Sequence, residues 1–182
     1  MKIKTALISV SDKNSISHIL KILKKFKISI ISSGGTFKKI KSLGYKCIEV
    51  SDYTSFPEIL DGRIKTLHPK IFSGLLYKRN NNSNKKILNK HKFGSIDLVV
   101  SNFYPFKNTV LKSSNSKKII ENIDIGGPSL VRAAAKNYKD VVVITKIDQY
   151  KELIDELNIH KGKTSLKFRE KLSREAFGET AS

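Results

Sequence analysis

Acidic residues are scarce: Asp and Glu together number 16 against 35 Lys and Arg, which leaves a formal net charge of +19. Cysteine is scarcer still. The single thiol, Cys47, rules out an internal disulfide framework and fits a reducing compartment. No stretch approaches about 18 consecutive apolar residues, so no membrane-spanning helix is expected. Met1-Lys2-Ile3-Lys4 runs straight into a strand-like segment without an apolar signal region, and a soluble cytoplasmic protein is the expectation. The chain has no Gly-Lys-Ser/Thr phosphate loop, no G-x-G-x-x-G dinucleotide fingerprint and no Gly-x-Ser-x-Gly elbow. His18, His68, His91 and His160 are far apart and lack ligand spacing, so no metal site is expected.

The positive charge has two readings. Basic surfaces bind nucleic acid through phosphate contacts and counterion release. Here the lysines are scattered through every segment, as in Ile22 to Lys27 and Asn84 to Lys92. Lysine and asparagine enriched together, with isoleucine the favoured aliphatic, is what an AT-rich genome produces without selection for a partner. No specific nucleic-acid partner is expected, although the charge would draw an anionic substrate toward a cleft.

With 182 residues, 39% of them hydrophobic, the chain reads as one well-buried domain over residues 1–182. Lys4 to Val10 is a buried strand. Ile16, Ile19, Leu20 and Leu23 then mark an amphipathic helix capped by Ser11 or Asp12. Ile28 to Ile31 and Cys47 to Val50 are further strands, separated by a helix carrying Phe37, Ile40 and Leu43. Asp52 to Lys70 has little periodicity and reads as a functional excursion. Ile71 to Tyr77 reads as a short strand, Asn80 to Asn84 as a polar loop and Lys85 to Lys92 as a helix. Ile96 to Val100 and Val141 to Ile144 are core strands. Helices are expected through Lys136 behind Pro128, after a capping Asp148 with Leu153, Ile154 and Leu157, and from Thr164 with Phe168, Leu172 and Ala176 on one face. Alternating strands and helices predict right-handed βαβ units and an α/β fold with a mostly parallel sheet.

In such sheets ligands bind beyond the carboxyl ends of the strands, and the polar clusters follow the strands. Ser33-Gly34-Gly35-Thr36 at a helix start offers free N–H groups, a hydroxyl and the positive end of a dipole, with Lys13 on the neighbouring loop. Gly62-Arg63-Ile64-Lys65-Thr66-Leu67-His68-Pro69-Lys70 crowds hydrogen-bond donors between a turn glycine and a rigid proline. Cys47 and most aromatic residues read as packing. Tyr104, between Phe103 and Pro105 after a strand, is the aromatic exception.

These clusters occur in order with Ser9 to Lys13, Phe56-Pro57-Glu58, Asn102-x-Tyr104-Pro105-Phe106, Asp124-Ile125-Gly126-Gly127 and Arg132 to Asn137. Together they resemble the N-terminal inosine monophosphate cyclohydrolase domain of the PurH family of bifunctional purine biosynthesis proteins, over nearly the whole chain. The resemblance implies a methylglyoxal synthase-like three-layer α/β sandwich. It also implies closure of 5-formamidoimidazole-4-carboxamide ribotide to inosine monophosphate with loss of water, on a purine ribotide substrate, without metal or cofactor, in a homodimer.

That chemistry needs a proton removed from a poor nitrogen nucleophile and donors aimed at the formyl oxygen. The resemblance carries the catalytic roles to Lys65, Tyr104, Asp124 and Lys136. Lys136 and Asp124 would handle the formyl oxygen, while Lys65 and Tyr104 orient the carboxamide; His68 would orient the lysine beside it. Ser11, Lys13, Ser33, Gly34, Gly35, Thr36, Arg63 and Thr66 would hold the ribose phosphate, and Asn102, Ile125, Gly126 and Gly127 the base. The family has His where this chain has Glu179, and it continues into a folate-dependent transformylase that this sequence does not contain, so no folate site is expected. The alternatives are a methylglyoxal synthase-type lyase or a nucleotide-binding module of the same fold without cyclohydrolase activity.

Overall fold

Short runs of Val, Ile and Leu at the centre of the sequence's βα units pair into one sheet. The computed structural model describes residues 1–60, 62–103, 116–121 and 123–181. Among these residues the strands are β1 (Thr5–Ile8), β2 (Ser29–Ser32), β3 (Ile48–Glu49), β4 (Leu98–Val100) and β5 (Val142–Ile144). They lie in the order β3-β2-β1-β4-β5, and every neighbouring pair is parallel. Leu7 stands opposite Ile31 on one side and Val99 on the other, and Val99 opposite Val143. All four are buried, because helices cover both faces.

The described helices are α1 (Ile16–Lys25), α2 (Gly34–Ser42), α3 (Val50–Thr54), α4 (Pro69–Leu76), α5 (Asn82–Lys90), α6 (Ser116–Glu121), α7 (Gly126–Lys136), α8 (Gln149–Ile159) and α9 (Leu166–Ala181). The chain steps from β1 to β2 to β3 in one direction and from β4 to β5 in the other. Right-handed crossovers in opposite directions put α1 and α2 on one face and α7 on the other. Helices α4 and α9 pack with α7, and α8 packs with α1, giving three layers. The reversal leaves the carboxyl ends of β1 and β4 side by side, the place where open parallel sheets bind ligands. None of the described helices is long and apolar enough to cross a membrane.

Two buried charges fasten the frame at the opposite edge. The Asp97 carboxylate accepts from the N–H groups of Lys4 and Thr5 and pairs with Arg79 at 2.8 Å. Arg169 on α9 is 5% exposed and donates to the backbone oxygens of Tyr138, Lys139, Thr164 and Ser165. Burial holds its pKa below the usual guanidinium value.

Several expected elements change. Ile71 to Leu76 belongs to α4, with Tyr77 just past its end, and is no strand. Pro69 occupies the first helical turn, His68 Nδ1 accepts from Lys70 N at 3.1 Å, and Ile71, Gly74 and Leu75 are buried at helical spacing. The Asn80 to Asn84 loop is shorter than expected, because Asn81 Oδ1 accepts from Asn84 N and starts α5 at Asn82. Neither Ser11 nor Asp12 caps α1, which begins behind Ser15; Asp12 Oδ1 accepts from Asn14 N within the loop instead. Asp148 makes no side-chain cap bond, and Gln149 Oε1 takes the Thr145 and Lys146 N–H groups at that turn. Cys47 lies just outside β3, half-buried.

Candidate active site

The β1–α1 loop is pinned from both sides. Asn102, just past β4, accepts from Ser11 N at 2.7 Å and Asp12 N at 3.0 Å through Oδ1, and donates from Nδ2 to Asp12 O at 2.9 Å. Thr36, in the first turn of α2, donates its hydroxyl proton to Val10 O and accepts from Val10 N. Asn102 and Thr36 were expected to touch the base and the phosphate. Their polar atoms are engaged with this loop, so both serve as braces that set the position of Ser11 and Lys13.

Helix α2 opens toward that loop. Ser33 is extended and makes no side-chain cap bond, and no acidic residue lies in the first turn. Gly34 has φ +55°, a conformation that L side chains rarely adopt. A Cβ placed on Gly34 would lie 3.6 Å from Lys65 Nζ, and one on Gly35 would lie 3.5 Å from Lys13 Cε. Two ammonium groups therefore converge on the positive end of a helix. Lys13 Nζ donates to Ser11 O at 3.1 Å, and neither lysine forms an ion pair among the described residues. Three positive features with no directly paired carboxylate among the described residues make a place for an anion.

Lys65 sits on a hairpin-like turn closed by the Ile59 and Ile64 backbones. The next residue, Thr66, is buried, and its Oγ1 lies 3.1 Å from the Cβ position of Gly126 at the start of α7. There Asp124 Oδ1 accepts from Gly127 N at 2.9 Å, and a Cβ on Gly127 would run into the Asp124 carboxylate. Ile125 is 60% exposed at this helix start. The loop around Lys65 and Thr66 thus joins the α2 end, with Ser33, Gly34, Gly35 and Lys13, to the α7 end, with Asp124, Gly126 and Gly127.

Other candidates stand differently. Arg63 points its guanidinium at Glu121 of α6, which holds that carboxyl below its usual pKa, chiefly through the hydrogen bond. A phosphate would have to share Arg63 with this carboxylate. His68 caps α4 through Nδ1 and lies 5.8 Å from the Phe56 ring, so its role here is to hold the turn after Thr66. Lys136 is exposed at the carboxyl end of α7. Ten residues of α-helix separate it from Gly126, about 15 Å along the axis. Asn137 beside it donates to Leu75 O and Tyr77 O, at the far end of α4. The expected partnership of Lys136 with Asp124 on one oxygen is therefore not formed within one chain. Tyr104 lies outside the described residues. Two carboxylates received no role from sequence reasoning. Glu58 Oε1 lies against Gly62, near Lys65 Nζ, and Glu121 meets Arg63. Phe56-Pro57-Glu58 stood out as a motif, but nothing in the sequence pointed to Glu121. Among the described residues no three His, Cys, Asp or Glu side chains gather as metal ligands do.

Known proteins are similar to this chain in sequence and fold. The chain is 46% identical over 180 residues to the bifunctional purine biosynthesis protein PurH of Bradyrhizobium diazoefficiens and 49% identical over 177 residues to that of Clostridioides difficile. These alignments cover 99% and 97% of this chain, which spans about a third of the relatives' length (34%). The crystal structure of ForH superposes with a TM-score of 0.86 at 26% identity, covering 98% of this chain and 94% of that one. The profile of the AICARFT/IMPCHase bienzyme family matches residues 134–182, and that of the MGS-like domain matches residues 15–129. With an all-parallel sheet, an anion-ready α2 and the greater part of its length matched, the chain belongs to the MGS-like domain family.

Proposed function

We propose that this protein is an inosine monophosphate cyclohydrolase, acting on 5-formamidoimidazole-4-carboxamide ribotide. The observation that carries this reading is the bridge made by Lys65 and Thr66 between the two helix starts. The α2 end, with Lys13 and the Gly34-Gly35 turn, suits a dianionic ribose phosphate. The α7 end, with Asp124 and exposed Ile125, lies one residue's reach away and suits the base. High identity to the PurH proteins supports the same reading.

In the reaction the carboxamide nitrogen attacks the formyl carbon, a C–N bond forms, and the formyl oxygen takes up the π electrons. The nitrogen loses one proton as it attacks and a second N–H proton is lost as the ring C=N bond forms, while the C–O bond breaks and the oxygen, having gained two protons, leaves as water. Asp124 is the acceptor for the nitrogen's proton. Lys65, whose Nζ lies near Gly34 and forms no ion pair among the described residues, is assigned the first proton to the developing oxyanion; Asp124 passes on the second, and the Lys65 amine takes up the second N–H proton, so both groups end as they began. Lys136 is reassigned away from the oxygen because of its distance along α7. Pairing of two copies belongs to the same proposal and is read by sedimentation velocity.

The test is the ultraviolet change on conversion of substrate to inosine monophosphate by the purified chain. Conversion that falls about 10²-fold in Lys65→Ala supports the assignment. An absence of conversion by the folded parent chain overturns the function.

A further inference from the structure

Helices α1 and α8 run side by side, with Ser15 and Asp148 at one end of their seam and Lys25 and Asn158 at the other. At the lower end Lys25 Nζ donates to Asn158 Oδ1 at 2.6 Å. Between them lies an open groove of about 580 Å³, within the range of small-molecule sites. Its floor is apolar, formed by Ile22, Ile147 and Ile154. His18, Lys21 and Lys151 stand along its rim, with Asp148 the acid among the lining residues. Lys21 and Lys151 form no ion pair among the described residues.

At the upper end the floor is closed by Tyr150, which is 4% exposed. Its hydroxyl is sealed from the groove and has no hydrogen-bond partner among the described residues. Burial, with the charge of Asp12 adding to it, pushes its pKa up to about 12, so the oxygen keeps its proton and is a donor without an acceptor. Buried hydroxyls in folded proteins are rarely left in that state. Half-buried Ile147 and Ile154, flanked by exposed lysines that form no ion pair among the described residues, are complementary to one kind of molecule.

We propose that this groove binds a small organic anion with an apolar body, its carboxylate or phosphate held between Lys21 and Lys151. The apolar part covers Ile147 and Ile154 over Ile22. The site is separate from the reaction proposed above and does not depend on it. Asp12 is where the two approach each other, since its loop also carries Ser11 and Lys13.

Fluorescence titration of the full chain with 1-anilinonaphthalene-8-sulfonate, an aryl anion, tests this. Saturable binding of one probe per chain is expected, with excess inosine monophosphate leaving it in place. The double variant Lys21→Glu/Lys151→Glu, both surface positions, should keep the parent's far-ultraviolet dichroism and melting temperature yet bind about tenfold more weakly or worse. Tyr150→Phe, whose lost hydroxyl is sealed from the groove, should leave binding unchanged. Absence of saturable binding, an unchanged affinity in the double variant, or displacement by inosine monophosphate overturns the proposal.

Discussion

Lys65 Nζ stands 3.6 Å from the point where a side chain on Gly34 would begin, although 30 residues separate them in the chain. A Cβ at Gly34 would touch the ammonium at ordinary contact distance but strain a backbone at φ +55°. The contact puts a cation without an ion-pair partner against the positive end of α2, an arrangement that an anion relieves.

Lysine placement separates the two catalytic candidates. Lys65→Ala should lower kcat for ring closure about 10²-fold, as losing an electrostatic donor does. Lys136→Ala, one helix length from Asp124, should cost at least tenfold less than Lys65→Ala. Steady-state rates of both purified variants decide it, and equal losses would return Lys136 to the reaction.

Gly127→Ala should damage activity more than folding. The added methyl displaces the Asp124 carboxylate, whose Oδ1 accepts from Gly127 N, while alanine itself is a good helix former. A melting temperature within a few degrees of the parent with a kcat down about tenfold or more is the expected pair of results.

Asn102→Ala removes two acceptor contacts and one donor contact to the β1–α1 loop. The Ser11 and Asp12 N–H groups lose their partner, and stability should fall by about 1–3 kcal/mol in urea unfolding. Because Lys13 hangs from the same loop, KM should rise more than kcat falls.

Arg169→Met removes the guanidinium donor from the oxygens of Tyr138 and Lys139, while Thr164 O keeps the Met1 ammonium and Ser165 O the N–H of residue 169. A loss of about 2 kcal/mol or more is expected, measured by chemical unfolding, because two acceptors lose their donor at once. Full parental stability in this variant would show that the guanidinium's desolvation cancels its bonds.

Cys47 gives a pH prediction. Burial pushes its thiol up to about 11 from an ordinary 9.0, so the folded protein holds this proton more tightly than the unfolded chain. Stability from this group is fully present below pH 9 and is lost as pH rises through about 11. Alkylation by iodoacetamide at pH 8 should be far slower for the native protein than for the urea-unfolded chain.

The alternation of strand and helix was legible because apolar period shows through in β1, α1, β2, β4, α7 and β5. Helix α4 was misread, since Ile71 to Tyr77 is a short apolar run in which periods of 2 and 3.6 cannot be told apart. The signals that decide it were present, Pro69 at the first turn and His68 able to cap, but their use as a cap depends on which way the imidazole points. The start of α1 went wrong for a related reason: Asp12 has the right side chain for a cap, and in the folded loop Asn14 N claims it.

By itself the sequence determined which residue types were available, their order, and the amphipathic segments that compel a parallel α/β sheet. Only the tertiary structure decided which of them meet. The reversal of strand order between β1 and β4 brought Asn102 to Ser11 across 91 positions, and the 62–68 turn brought Lys65 to Gly34 and Thr66 to Gly126. The rise of an unbroken α7 took Lys136 away from Asp124. Spacing along a chain constrains neighbours within one helix or strand; contacts between elements depend on crossover direction and packing, which no local pattern records.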